Sequence, residues 1–240
     1  MGLLDMFSRK GPGAIRKHAA RVGNKRAQNP DRWESIHALA AMRSVEAVEG
    51  LLRRFTFRMD PSITDQEEKD AAFHGIVAAG DVAVEPVREF LHRADAISWP
   101  LKMLEQLLPP DEVVRELLDL LARMDTEYER DPEKKIQLLA YLEDRQDPRI
   151  VPAVTPFLDD VNETVRFHAA GAIFAQNDPE HAKEALLDVV AKEESMRVRA
   201  RILDGFLERE WPIPKERIEA VRPKLPGGWA LDPQGMPRKG

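Results

Sequence analysis

The chain has 240 residues, of which 43% are hydrophobic and 32% are charged, a balance typical of a folded globular protein and not of a disordered one. It contains no cysteine, which excludes disulfides, thiolate metal sites and cysteine nucleophiles. No apolar run approaches the roughly 20 residues that a transmembrane helix needs, and Met1–Phe7 is too short for a secretory signal. We therefore expect a cytoplasmic protein.

The formal net charge is −6, but residues 1–30 carry seven cations against the single carboxylate of Asp5. The cations of this basic arm are Arg9, Lys10, Arg16, Lys17, Arg21, Lys25 and Arg26. Three interpretations remain open: the arm packs as a cap on the acidic remainder, binds an acidic protein partner, or touches anionic lipid or nucleic acid.

From residue 31 onward, apolar residues recur at spacings of three and four, as in the stripe Val45, Val48 and Leu51. Pro, Gly, Asp or Asn interrupts this pattern every dozen or so residues. No stretch alternates with period two. The sequence therefore predicts an all-α fold without strands.

The predicted helices repeat as pairs. Val165-Arg166 and Val198-Arg199 each open the first helix of a pair, 33 residues apart. One helix pair cannot bury its own apolar face, so we expect the pairs to stack over residues 31–224. The six predicted pairs are 31–59, 65–94, 97–124, 132–160, 161–193 and 195–224. Asp60 to Lys69 reads as a polar connector, and residues 225–240 as a flexible tail.

The segment from Asp160 to Ala170, followed by Asn177-Asp178-Pro179, resembles the HEAT repeat family and its bacterial phycobilisome-lyase-type branch. That resemblance implies a right-handed α-solenoid of about six HEAT-like pairs. It also implies a ladder of bonds that joins Asp160 to Arg166 and Arg199. The fold hosts many functions, so it does not name one.

Motifs that carry chemistry are absent from the sequence. There is no phosphate-binding glycine loop, no His-Glu-x-x-His pair and no nucleophile elbow. We therefore predict no catalytic, cofactor-binding or metal-binding residue and no cofactor. HEAT-like DNA glycosylases use a basic groove, whereas the predicted second helices sum to a negative charge, so nucleic acid is not favoured as a partner.

The predicted function is a non-catalytic scaffold, adaptor or regulatory subunit that binds another protein. The candidate partner-binding residues lie on the predicted second helices: Glu46, Glu49, Arg53, Glu85, Arg88, Glu89, Arg115, Glu116 and Asp119. The same residues could equally form a plain solvated face. Two alternatives are recruitment to an anionic membrane or nucleic acid through the basic arm, and a lyase-like or DNA-glycosylase-like enzyme.

Overall fold

The structure is a computed structural model that describes residues 11–240. It is almost wholly helical within those residues, with 13 α-helices and 68% of the residues in helix. The chain divides into two compact units, an N-terminal unit that ends at Val113 and a C-terminal unit that begins at Val114. The prediction of an all-α fold is confirmed.

Between residues 11 and 113, the N-terminal unit contains six complete helices. They are α1 (Pro12–Val22), α2 (Asn29–Ala40), α3 (Val45–Leu52), α4 (Ser62–Val77), α5 (Val84–Arg93) and α6 (Ser98–Leu107). Short 3₁₀ turns follow α3 (Arg53–Thr56) and precede α5 (Gly80–Ala83). The boundary between the units falls inside α7 (Pro110–Leu121).

The C-terminal unit contains the remaining helices and two short strands. The helices are α8 (Glu133–Glu143), α9 (Ile150–Val154), α10 (Glu163–Ala175), α11 (Lys183–Lys192), α12 (Met196–Glu208) and α13 (Lys215–Val221). The 3₁₀ turns are Thr155–Asp159, Glu180–Ala182 and Arg222–Lys224, and the strands are β1 (Trp229–Leu231) and β2 (Pro237–Lys239). Helices α2 to α13 fall within a few residues of the six predicted pairs.

Helices of the N-terminal unit pack in two rows. The first helices of successive pairs are neighbours, with α2 against α4 and α4 against α6, while α3 packs against α5. Ile36, Leu51 and Ile76 are completely or almost completely buried between them. Gly75 permits the close approach of α4 to α2, because a Cβ there would lie 2.6 Å from the Cβ of Ala40.

The C-terminal unit repeats this packing: α8 contacts α10 and α10 contacts α12, and their apolar faces bury Leu139, Ala170 and Ile202. Asn162 caps α10, because its side-chain oxygen accepts hydrogen bonds from the main-chain N–H groups of Thr164 and Val165.

Two segments differ from the predictions. The expected connector from Asp60 to Lys69 is helical from Ser62 onward, and three of its charged residues, Asp65, Glu68 and Lys69, are buried and paired in the interior. The prediction of no strands is wrong at the C-terminus, where β1 and β2 form an antiparallel hairpin inside the expected flexible tail. Each strand has only three residues, too few for a readable alternation. The hairpin contacts α12, and the Ile213 N–H donates to the carbonyl oxygen of Gly235 at 2.9 Å.

Candidate functional site

The N-terminal unit contains an aromatic pocket of about 550 Å³, formed where the end of the first helix pair meets the turn between α5 and α6. Its walls combine four aromatic rings with three cations and one carboxylate. The lining residues are Phe55, Thr56, Phe57, Arg58, Lys69, Phe90, Arg93, Ala94, Asp95, Ala96, Ser98, Trp99 and Pro100. Concave sites lined by aromatic side chains and a few polar groups are the usual places where proteins bind ligands.

The aromatic wall centres on Trp99. Its ring centroid lies 5.1 Å from that of Phe55 and 6.0 Å from that of Phe73, and the Lys102 ammonium lies 5.2 Å from it. The rings that line the pocket remain half-buried. Half-buried aromatic rings that hold one another in place offer apolar area at a low entropic cost to a partner.

A buried ion cluster lies beside this pocket. Its members are Arg32, Arg54, Asp65, Glu68 and Lys69, each at most 9% exposed. The Glu68 carboxylate accepts from Arg32 Nε at 3.0 Å and from Arg54 Nε at 2.7 Å. The Asp65 carboxylate accepts from Arg54 Nη2 at 2.7 Å and from Lys69 Nζ at 2.6 Å. Charges removed from water in this way must be paired, so the cluster is a strict constraint on the local fold.

The ion cluster positions one wall of the aromatic pocket. Arg54 donates to the main-chain oxygen of Phe57 at 3.3 Å, and its guanidinium lies 4.6 Å from the centroid of that ring. The Met59 N–H donates to Asp65 Oδ1 at 3.1 Å. Residues 57–59 follow a helical turn and have no regular structure, so these bonds fix where Phe57 and Arg58 stand.

The carboxylate of Asp65 gives the cluster a pH dependence. Burial acts to raise its pKa, but hydrogen bonds from Lys69 and Arg54, together with their charges, lower the pKa below its ordinary value. A lowered folded-state pKa means that this carboxylate stabilises the fold above the unfolded pKa, near 4, and that the stabilisation is lost as pH falls through the folded value.

We therefore expect the urea midpoint of unfolding to fall steeply below about pH 4. Asp65→Asn should lower the midpoint at pH 7 and flatten this acid slope, which urea titrations at a series of pH values will measure. Glu193→Gln provides the same comparison in the C-terminal unit. Burial acts to raise the pKa of the Glu193 carboxyl, but Arg166 acts in the opposite direction, and the pKa is lowered overall. An unchanged acid slope in Asp65→Asn would contradict the assignment.

A charged groove adjoins the aromatic pocket and shares Thr56, Phe90 and Arg93 with it. Its volume is about 320 Å³. The lining residues are Glu49, Leu52, Arg53, Thr56, Pro86, Glu89, Phe90 and Arg93. The two cavities are therefore neighbours beside α3 and α5, and we call them together the α3–α5 groove.

Three of the nine predicted partner-binding residues, Glu49, Arg53 and Glu89, line the charged end of this groove. Glu46, Glu85, Arg115 and Asp119 are exposed elsewhere, and Arg88 lies 3.5 Å from Glu112. Glu116 does not belong to an exposed face as predicted, because it is only 8% exposed on α7. None of the aromatic pocket residues was predicted, because they come from separate segments that only folding brings together.

The basic arm is described only from residue 11, so Arg9 and Lys10 lie outside the described residues. Helix α1 packs against α2 and α3 through Ala19 and Val22. Arg21 lies 3.4 Å from Glu34. The remaining cations, Arg16, Lys17, Lys25 and Arg26, are exposed.

The expected bonds that would join the Asp160 carboxylate to Arg166 and Arg199 are not formed in the structure. Arg166 and Arg199 do not bind its carboxylate, which accepts from Lys135 Nζ at 2.9 Å. Arg166 instead pairs with Glu193 at 2.6 and 2.8 Å and donates to the main-chain oxygen of Asp160. Arg199 donates to the main-chain oxygen of Lys224 at 2.6 Å. Lys135, Arg166 and Arg199 each lie on the first helix of a pair, and each bonds to the segment that ends the same pair.

Residues 11–240 contain no group of three or more His, Cys, Asp or Glu side chains that could hold a metal ion. His168 Nδ1 lies 2.6 Å from Oε1 of Glu143, and the other carboxylate oxygen of Glu143 accepts a hydrogen bond from Arg201 at 2.7 Å.

None of the helices in residues 11–240 combines the length and apolar character needed to cross a bilayer. In comparisons with known proteins, the chain matches no protein-family model and no curated sequence.

Proposed function

We propose that this chain is a non-catalytic interaction protein, a scaffold or adaptor, and that it binds an extended segment of another protein in the α3–α5 groove. The observation that carries the proposal is that the aromatic pocket and the charged groove lie side by side, share three lining residues and are both lined by side chains of the N-terminal unit. Aromatic residues and arginine are the types enriched where proteins bind one another.

The second part of the proposal concerns the architecture that the helix pairs form. We propose that the six pairs are HEAT-like repeats and that they continue as a right-handed α-solenoid. The recurrence of Val-Arg at 33-residue spacing and the two-row packing within each unit are what such repeats require. Small-angle scattering on the full chain tests this part, since a compact particle in solution would contradict an elongated array.

Peptide display tests the binding function. We expect the full chain to enrich peptides from a random library and Trp99→Ala to bind the selected peptides about thirtyfold more weakly, the loss of about 2 kcal/mol typical of a buried aromatic anchor. Trp33→Ala is the matched control, because Trp33 lies on α2 in the same unit, stacks on His37 and does not line the groove. Failure to enrich any peptide, or equal loss in both variants, would contradict the proposal.

Helix α1 gives less support to the alternative that the basic arm recruits the protein to a membrane or nucleic acid. Ala19 and Val22, two of its apolar residues, are already buried in the N-terminal unit and are not available to enter a lipid surface. Its exposed cations could still attract a polyanion. Reversing Arg16, Lys17, Lys25 and Arg26 to Glu leaves the packed face intact, and loss of binding to anionic vesicles or DNA in this variant would revive the alternative.

A further inference from the structure

The ion cluster of the N-terminal unit has an unbalanced charge. Three buried cations face two buried carboxylates, and both carboxylates are already fully engaged. Glu68 accepts from Asn29, Arg32 and Arg54, and Asp65 accepts from Arg54, Lys69 and the Met59 N–H. An uncompensated buried charge is costly, so the site is stabilised by any further anion that can reach it.

Lys69 is the member of the ion cluster that an incoming anion could reach. It is 6% exposed and lines the aromatic pocket. Among residues 11–240, its ammonium group donates one hydrogen bond, to Asp65. An ammonium group carries three N–H donors. Two donors of a nearly buried cation therefore remain for a ligand that enters the pocket.

The remaining charges of the aromatic pocket have the same sign preference. Arg58 and Arg93 line its walls with Asp95 as the single lining carboxylate, and Arg93 is paired with Glu89 outside the pocket, on a chain whose net charge is −6. A positive pocket attracts a negatively charged group of a partner, although the protein as a whole is acidic.

The charged end of the α3–α5 groove favours a peptide over a nucleic acid as the partner. Glu49 and Glu89 line this end, and Arg93 already lies 3.3 Å from Glu89. Carboxylates along the path of a polyphosphate backbone would repel it. A peptide places one negative side chain at a chosen position and leaves its neighbours neutral or basic.

We propose that the aromatic pocket binds an acidic anchor of a partner protein, an Asp or Glu side chain next to an apolar or aromatic residue in an extended segment. The carboxylate would bind Lys69 Nζ and the Arg58 guanidinium, and the adjacent side chain would pack on Phe55 and Trp99. This inference rests on the proposed binding function and names the class of partner.

The test is the composition of the peptides that the full chain selects from a random library. We expect an Asp or Glu beside a large apolar residue in the selected set, and a weaker interaction as ionic strength rises. Replacing that acid by its amide in a synthetic peptide should weaken binding about tenfold, as should Arg58→Gln, measured by calorimetry. Arg43→Gln, an exposed arginine of the same unit that lines neither cavity, should leave the affinity unchanged.

The outcomes separate this inference from the proposed function. Selected peptides without an acidic residue that still lose affinity in Trp99→Ala would overturn the acidic anchor and leave the groove as a binding site. Selection of acidic peptides whose affinity is the same for Arg58→Gln and Arg43→Gln would also overturn it. Because Arg58 is exposed, its substitution does not endanger the fold. Arg58→Glu should select basic peptides in place of acidic ones.

Discussion

Glu68→Gln is expected to destabilise the N-terminal unit by about 3–5 kcal/mol, because it leaves the buried guanidinium of Arg32 without its counter-ion and that of Arg54 with Asp65 alone. The side chain of Glu68 is completely buried, and that of Arg54 is as well. The amide keeps the shape of the carboxylate but not its charge. The loss therefore measures the electrostatic cost and not a cavity.

Urea unfolding will give the overall loss, and hydrogen exchange of peptides from α2, α3 and α4 will show where it occurs. Glu34→Gln is the matched control. Its carboxylate is also bonded to an arginine, at 3.4 Å, but it is 68% exposed, and such surface pairs contribute about 0–1 kcal/mol. Equal losses in the two variants would refute the argument from burial. Because the cluster holds residues 57–59, Glu68→Gln should also weaken peptide binding.

Lys135→Met is expected to have an effect of similar size, about 3–5 kcal/mol, in the C-terminal unit. Its ammonium is bonded to Asp160 at 2.9 Å, and the two side chains are 1% and 0% exposed. Without the lysine, the Asp160 carboxylate keeps one bond, from the main-chain N–H of Asn162 at 2.8 Å. That single bond does not balance the loss of the counter-ion.

A double-mutant cycle with Asp160→Asn isolates the pair. Asparagine still accepts the Asn162 N–H through its side-chain oxygen, so this change removes the charge and the bond to Lys135 but keeps the bond to the main chain. The double variant should lose less stability than the sum of the single losses, by about 0.5–3 kcal/mol. Strict additivity would show that the pair contributes nothing, and faster exchange in α2 or α4 than in α8 and α10 would show that the assignment to the C-terminal unit is wrong.

The sequence by itself determined the helices and their pairing. The spacing of apolar residues depends on the geometry of one helix, and signals such as Asn162 at the start of α10 act on the nearest main-chain groups. Both are local, so they can be read without knowing the fold. Of the nine surface residues predicted from helix position, three line the α3–α5 groove and Glu116 is buried.

The tertiary structure alone decided which charges are buried and where the pocket lies. Asp65, Glu68 and Lys69 read as part of a polar connector, because nothing nearby in the chain showed that Arg32 and Arg54 would meet them. Phe55, Phe90 and Trp99 likewise come from three different helix pairs. Ion pairing and pocket formation depend on contacts between residues tens of positions apart, and only packing of the helices against one another creates those contacts.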